Sequence, residues 1–103
     1  MSNIVDMNQG NEPFPLDGNA AAGMLADIFP FEMTSAESTC AGCGHRGAIG
    51  TLLLYGGETG AVLRCPTCTR VQLRIMHRYG RGEQYWIDMR GMSALVITPA
   101  RPT

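Results

Sequence analysis

Four cysteines in two pairs constrain this chain more than any other feature. Cys40-Ala41-Gly42-Cys43 and Cys65-Pro66-Thr67-Cys68 stand 21 residues apart, and no other cysteine occurs among the 103 residues. A Cys-x-x-Cys loop curls so that both sulfurs face one point. Two such loops opposed make a tetrahedral thiolate cage, which suits Zn2+ at about 2.3 Å per sulfur. Four thiolates leave no open coordination position, so the centre reads as structural and not catalytic. A cysteine-bearing half this small has little apolar surface to bury, whereas a structural zinc supplies roughly 10–16 kcal/mol of apparent folding free energy. The expectation is one Zn2+ per chain on Cys40, Cys43, Cys65 and Cys68. Iron is the alternative, because tetrahedral S4 geometry accepts either metal.

The compartment bears on that choice. The first 45 residues hold no Lys or Arg, and no long apolar run follows, so a secretory leader is not expected. No stretch approaches the ~20 apolar residues of a membrane span. A cytoplasmic location follows, where thiols stay reduced and metal is favoured over disulfides. The formal net charge of −1 hides an asymmetry. Residues 1–38 carry six acids and no base, while residues 39–103 carry all eight arginines and three acids. A zinc–tetrathiolate centre would itself subtract two charges from the basic part.

Along the chain, residues 1–15 read as a tail, with Phe14 a candidate to dock. Residues 17–29 predict a short helix with Asp17 as N-cap, Pro30 as terminator, and Met24, Leu25, Ile28 and Phe29 as the apolar stripe that covers the sheet. Residues 31–39 predict a strand leading to the first cysteine pair, and residues 48–55 a second strand. Gly56 to Gly60 would turn into a return strand over 61–64. Residues 71–78 alternate cleanly, with Val71, Leu73 and Ile75 on one face and Gln72, Arg74, Met76 and Arg78 on the other. Gly80-Arg81-Gly82 suits a hairpin loop with Gly82 at positive φ, which sets Arg74 opposite Asp88 and Met76 opposite Trp86 in a return strand over 84–90. Residues 94–97 predict a last strand, and 99–103 a frayed end. The fold class is thus small and mainly β, with antiparallel hairpins, one short N-terminal helix and one domain over 16–98.

Beyond the cysteines, one cluster invites a binding role. In the register above, Gln72, Arg74, Arg78, Trp86 and Arg90 share a sheet face, which could hold a nucleic-acid backbone and stack a base. The competing reading is a solvated face, with Arg74 paired to Asp88 and Met76 packed on Trp86. His45 reads as a loop histidine near the first pair, or as a sulfur partner. His77 reads as a histidine at the core boundary. No nucleophile, base and carboxylate are assembled, so an enzyme is not expected.

The paired knuckles resemble the zinc-ribbon superfamily. A closer resemblance, over most of residues 16–97, is to a group of small bacterial proteins, common in actinobacteria, that form a domain of unknown function. It is carried by Leu16-Asp17-Gly18-Asn19-Ala20-Ala21-Ala22-Gly23, Cys40-Ala41-Gly42-Cys43-Gly44, Tyr55-Gly56-Gly57, Val62-Leu63-Arg64-Cys65-Pro66 and Trp86-Ile87-Asp88-Met89-Arg90-Gly91. The resemblance implies a zinc-bound ribbon with a helical appendage and brings no activity. Cys-x-x-Cys-Gly followed by Cys-Pro-x-Cys is also similar to rubredoxin, an electron carrier, but Thr69 stands where that pattern has Gly and the aromatic core is missing. The expected role is a non-enzymatic binding module, an adaptor or regulator with a protein partner, monomeric or weakly dimeric. The alternative is weak nucleic-acid binding through Arg74, Arg78, Trp86 and Arg90.

Overall fold

The computed structural model describes residues 16–57, 60–80 and 82–99. Expectations for the tail over 1–15, for the loop positions 58, 59 and 81, and for residues beyond Pro99 lie outside the described residues. In chain order the strands are β1 (Leu16–Asp17), β2 (Glu37–Cys40), β3 (Arg46–Ala48), β4 (Leu53–Gly57), β5 (Gly60–Arg64), β6 (Val71–Arg78), β7 (Gln84–Asp88) and β8 (Met92–Val96), with one helix, α1 (Ala22–Ile28). They form two antiparallel sheets, a five-stranded one ordered β1-β4-β5-β6-β7 and a three-stranded one ordered β3-β2-β8. The fold is mainly β with one short helix, as the sequence implies. No helix among the described residues is long and apolar enough to cross a membrane.

The β6–β7 hairpin has the expected register, with Arg74 opposite Asp88 and Met76 opposite Trp86. Gly82 takes φ +136°, a conformation that side-chain-bearing residues rarely adopt. The strand itself ends at Asp88, so Arg90 lies in the turn that follows. Gln72 departs from expectation. A register shift between Leu63 and Arg64 pairs Leu63 with Leu73 and Arg64 with Val71, which leaves Gln72 as the extra residue of a bulge. Gln72 is buried, and its Oε1 accepts from the Ser38 hydroxyl of β2 at 2.8 Å. It therefore sits at the junction of the sheets and not on the solvent face. Gly91 is pressed into the same junction, where a Cβ would stand 1.8 Å from the Val71 carbonyl oxygen.

Three other segments differ from the sequence reading. The helix is shorter than 17–29. A 3-10 turn over Gly18–Ala21 precedes it, and Asp17 caps that turn by accepting from the Asn19 amide at 3.1 Å. Gly18 lies against the Ile49 backbone, and this contact holds the entry to the helix in place. Residues 31–39 are not one strand. Glu32 caps a 3-10 turn over Met33–Ser35, accepting from the Thr34 amide at 3.2 Å, and extension begins only at Glu37. The 48–55 run is also broken. A 3-10 turn over Ile49–Thr51 divides it, so that its start belongs to β3 and its end to β4, in different sheets.

One core joins all of this. Leu63, Leu73 and Ile75 come from the large sheet, Leu25 and Met33 from the helical segment, and Ile49 and Leu52 from the crossing between sheets. Of the helix stripe, Leu25 is fully buried, while Met24, Ile28 and Phe29 are half-buried against the core. Leu25 is thus the anchor, and its burial contributes roughly 1.5–3 kcal/mol. The helical layer covers one face of the large sheet.

Candidate metal centre

Each cysteine pair occupies the turn of a β-hairpin, and the two hairpins belong to different sheets. Cys40 to Cys43 link β2 to β3, and Cys65 to Cys68 link β5 to β6. The two turns repeat one backbone pattern. In the first, the Cys40 amide donates to the His45 carbonyl at 2.8 Å and the Gly44 amide to the Cys40 carbonyl at 2.9 Å. In the second, the Cys65 amide donates to the Arg70 carbonyl at 2.8 Å and the Thr69 amide to the Cys65 carbonyl at 2.9 Å. The chain must bend left-handed at the same place in both, at Gly44 (φ +80°) and Thr69 (φ +65°). Glycine meets that demand freely, whereas a β-branched residue meets it under strain.

The turns bring the four sulfurs within 4.8 Å of one another. Across the knuckles, the Cys40 and Cys68 sulfurs are 3.6 Å apart, as are those of Cys43 and Cys65. All four cysteines are free of disulfides. The Gly42 amide points at the Cys40 sulfur at 3.3 Å and the Thr67 amide at the Cys65 sulfur at 3.4 Å. These two sulfurs are buried, and the amides favour their thiolates, while Cys43 is exposed and Cys68 half-buried.

Electrostatics bear on what the four sulfurs can hold. The amide of Cys43 lowers the Cys40 pKa. Burial opposes ionisation of Cys65, but the amides of Cys68 and Thr67 and the neighbouring thiols hold it down to about 6. The His45 amide favours the Cys43 thiolate, yet desolvation and the other three thiols push its pKa up to about 12. Four thiolates this close repel one another, and a cation at their centre removes the conflict. The donor set therefore fits a metal ion that takes four soft ligands.

The remaining expected site residues fall as follows. Arg74 and Arg78 are exposed on the outward face of the large sheet, and Trp86 is 37% exposed there. Arg74 does not pair with Asp88, although it stands opposite. Its guanidinium lies 5.4 Å from the centre of the Trp86 ring. Arg90 holds Asp88 instead, with Nη2 2.7 Å from Oδ2 and Nε 3.0 Å from Oδ1. This guanidinium pulls the Asp88 pKa down to about 2. His45 is not among the four converging ligands. His77 stacks on Tyr85, with ring centroids 4.3 Å apart, and both its nitrogens are occupied, Nε2 by Glu83 at 2.6 Å and Nδ1 by the Tyr79 hydroxyl at 3.0 Å. Burial, with Glu83 and Asp27 nearby, raises the Tyr85 pKa.

Sequence reasoning missed the pairing of Arg64 with Tyr55, a second arginine–aromatic contact at 5.6 Å. Strand pairing carries Tyr55 through Val62 to Arg74, so all three share the outward face. The signal needed was the register of three strands, which no local pattern supplies.

Fold and site together define a small mainly-β protein in which two hairpin turns, one from each sheet, close a candidate four-cysteine metal centre. The chain belongs to a family of unknown function, DUF6510, whose profile matches residues 9–100. No curated protein and no solved structure matches it.

Proposed function

We propose that the protein is a non-enzymatic binding module held together by one structural Zn2+ on Cys40, Cys43, Cys65 and Cys68. The observation that carries this reading is the origin of the ligands: each sheet supplies one pair, so a bound ion ties the sheets to each other. Zinc favours four thiolates, and a closed set of four suits a structural role. The ion would supply charge neutralisation and a fixed geometry, and the chain's residues supply the rest. A reducing compartment, the cytoplasm, keeps the thiols available. The tied sheets present a broad outward face to a partner, with the protein acting as a monomer or weak dimer.

Metal analysis and chelation test this together. We expect one zinc per chain, collapse of near-UV circular dichroism when a chelator removes it, and recovery when zinc is restored. Cys65→Ser should lower stability severely, since its sulfur is buried between the sheets. One iron per chain with thiolate charge-transfer absorption would replace this reading by electron transfer. An unchanged melting temperature after metal removal would end it.

A further inference from the structure

The placement of charge on the large sheet says more about the partner than net charge does. Its outward face carries Arg64, Arg74 and Arg78, with two exposed aromatic rings, Tyr55 and Trp86. Among the described residues that face carries two carboxylates: Asp88, which Arg90 holds, and Asp17 on the edge strand β1, which accepts from the Asn19 amide. Arg70, Arg74 and Arg78 have no carboxylate partner among the described residues. The other acids of the described residues lie elsewhere. Asp27 and Glu83 act on Tyr85, which alternates with Trp86 and so faces the covered side. Glu37 is tied to Arg46, and Glu32 caps a turn. The outward face thus carries Arg64, Arg74 and Arg78 against two carboxylates that already have partners.

The face also has relief. Two adjoining depressions, of about 330 and 320 Å³, share Val71, Arg90 and Gly91, and Arg70 and Arg74 line their outer ends. Beside the first knuckle the lining is backbone at Gly42 and Gly91, with the Arg70 side chain against Gly42 and the Val71 backbone against Gly91. Arg74 and Arg78 thus lie along β6, between the strands that bear the two flat rings, with Arg70 just ahead of β6. Tyr55 and Trp86 stand three strand spacings apart, roughly 14 Å across the sheet.

We propose that this face binds single-stranded nucleic acid, with bases stacking on Trp86 and Tyr55 and phosphates meeting Arg70, Arg74, Arg78 and Arg90. Stacking on exposed rings requires bases free of a complementary strand, which a duplex does not offer. An acidic protein would satisfy the arginines but leave the rings without planar partners. The proposal rests on the zinc-held scaffold above, since one of the two depressions borders its first knuckle at Ala41 and Gly42.

The single tryptophan makes the test direct, because fluorescence under tryptophan-selective excitation reports on Trp86. Full-length, zinc-loaded protein is titrated with oligo(rU) and oligo(dT) of about ten nucleotides, a length within the range of such platforms. A labelled copy of each is followed by anisotropy across a salt series. Binding should quench the fluorescence, and log K should fall against log salt with a slope of about −2 to −3 for four phosphate contacts. Tyr55→Ala, at an exposed position, should weaken binding about tenfold. The Arg74→Gln/Arg78→Gln pair should flatten the slope by about 1.4. Preference between the two oligomers distinguishes RNA from DNA. No quench and no anisotropy change at low salt, from protein with intact circular dichroism and zinc content, would overturn the proposal and leave the face to a protein partner. Equal affinity for a duplex of the same length would overturn it as well. Neither result touches the scaffold reading, which fails on the metal analysis and chelation tests given for it above.

Discussion

Thr69 and Gly44 occupy the same position in two matching turns, yet only one of them is glycine. The left-handed conformation costs a side-chain-bearing residue roughly 1–2 kcal/mol, and glycine's greater freedom in the unfolded chain returns about 0.5–1 of that. Thr69→Gly should therefore stabilise the metal-loaded protein by about 0.5–1 kcal/mol in thermal unfolding. A lower melting temperature would mean that the threonine side chain stabilises the second knuckle by more than its strain. Asp88 supplies a second test at this scale. Arg90 lowers its folded pKa to about 2 from the ordinary 3.8, so the contribution to stability is complete above about pH 4 and is lost as pH falls through about 2. Carboxyl-carbon NMR should place the Asp88 midpoint near 2, and Arg90→Gln should move it back toward the ordinary range. An identical midpoint in the variant would refute the assignment to Arg90. The converging cysteines were legible as residues because their spacing is itself the geometry. Gln72 was not, because its burial comes from a bulge and from Ser38 in the other sheet.

Among the elements, α1 shows how a correct pattern can misplace weight. The stripe Met24, Leu25, Ile28 and Phe29 does meet the core, but Leu25 alone is fully buried. Leu25→Ala should cost about 2–5 kcal/mol, and Phe29→Ala clearly less, both read from denaturant midpoints at constant zinc. The reverse order would mean that the helix docks by its C-terminal end. Hairpins of short reach were readable. The β6–β7 register follows from strict alternation and from glycines on either side of Arg81, since a slip of one residue would expose Leu73 and Ile75. The 48–55 run was not readable, because its break is tertiary. Gly50 lies against the Asn19 side chain and the Thr34 carbonyl, contacts made by segments distant in sequence. Apolar alternation cannot announce a turn that another part of the chain imposes.

For the whole molecule, what escaped the sequence was the division into two sheets. Each strand except the two-residue β1 had some local signal, but β2 pairs with β8 across more than fifty residues, and no periodicity reveals that partnership. The outward face suffered likewise: Tyr55 joins Arg74 only through the stacked registers of β4, β5 and β6. The same division has a consequence for how the chain assembles. β4 through β7 form a meander of neighbours in sequence, with the Cys65–Cys68 turn inside it. The first knuckle belongs to a sheet that closes only when β8, near the end of the domain, returns to β2. Closing a long loop is entropically slow, whereas the meander needs only short ones. Metal should therefore be captured first as a half-bound ion on Cys65 and Cys68, and the β2–β8 pairing should set the final rate. Stopped-flow refolding with Co2+ should show an early spectrum of incomplete thiolate ligation, followed by a slower tetrathiolate band. Leu95→Ala, in β8, should retard only the second phase. A single phase insensitive to Leu95 would mean that both knuckles close together. During synthesis the same order predicts that a chain stalled before Met92 holds the proposed ion by Cys65 and Cys68 alone.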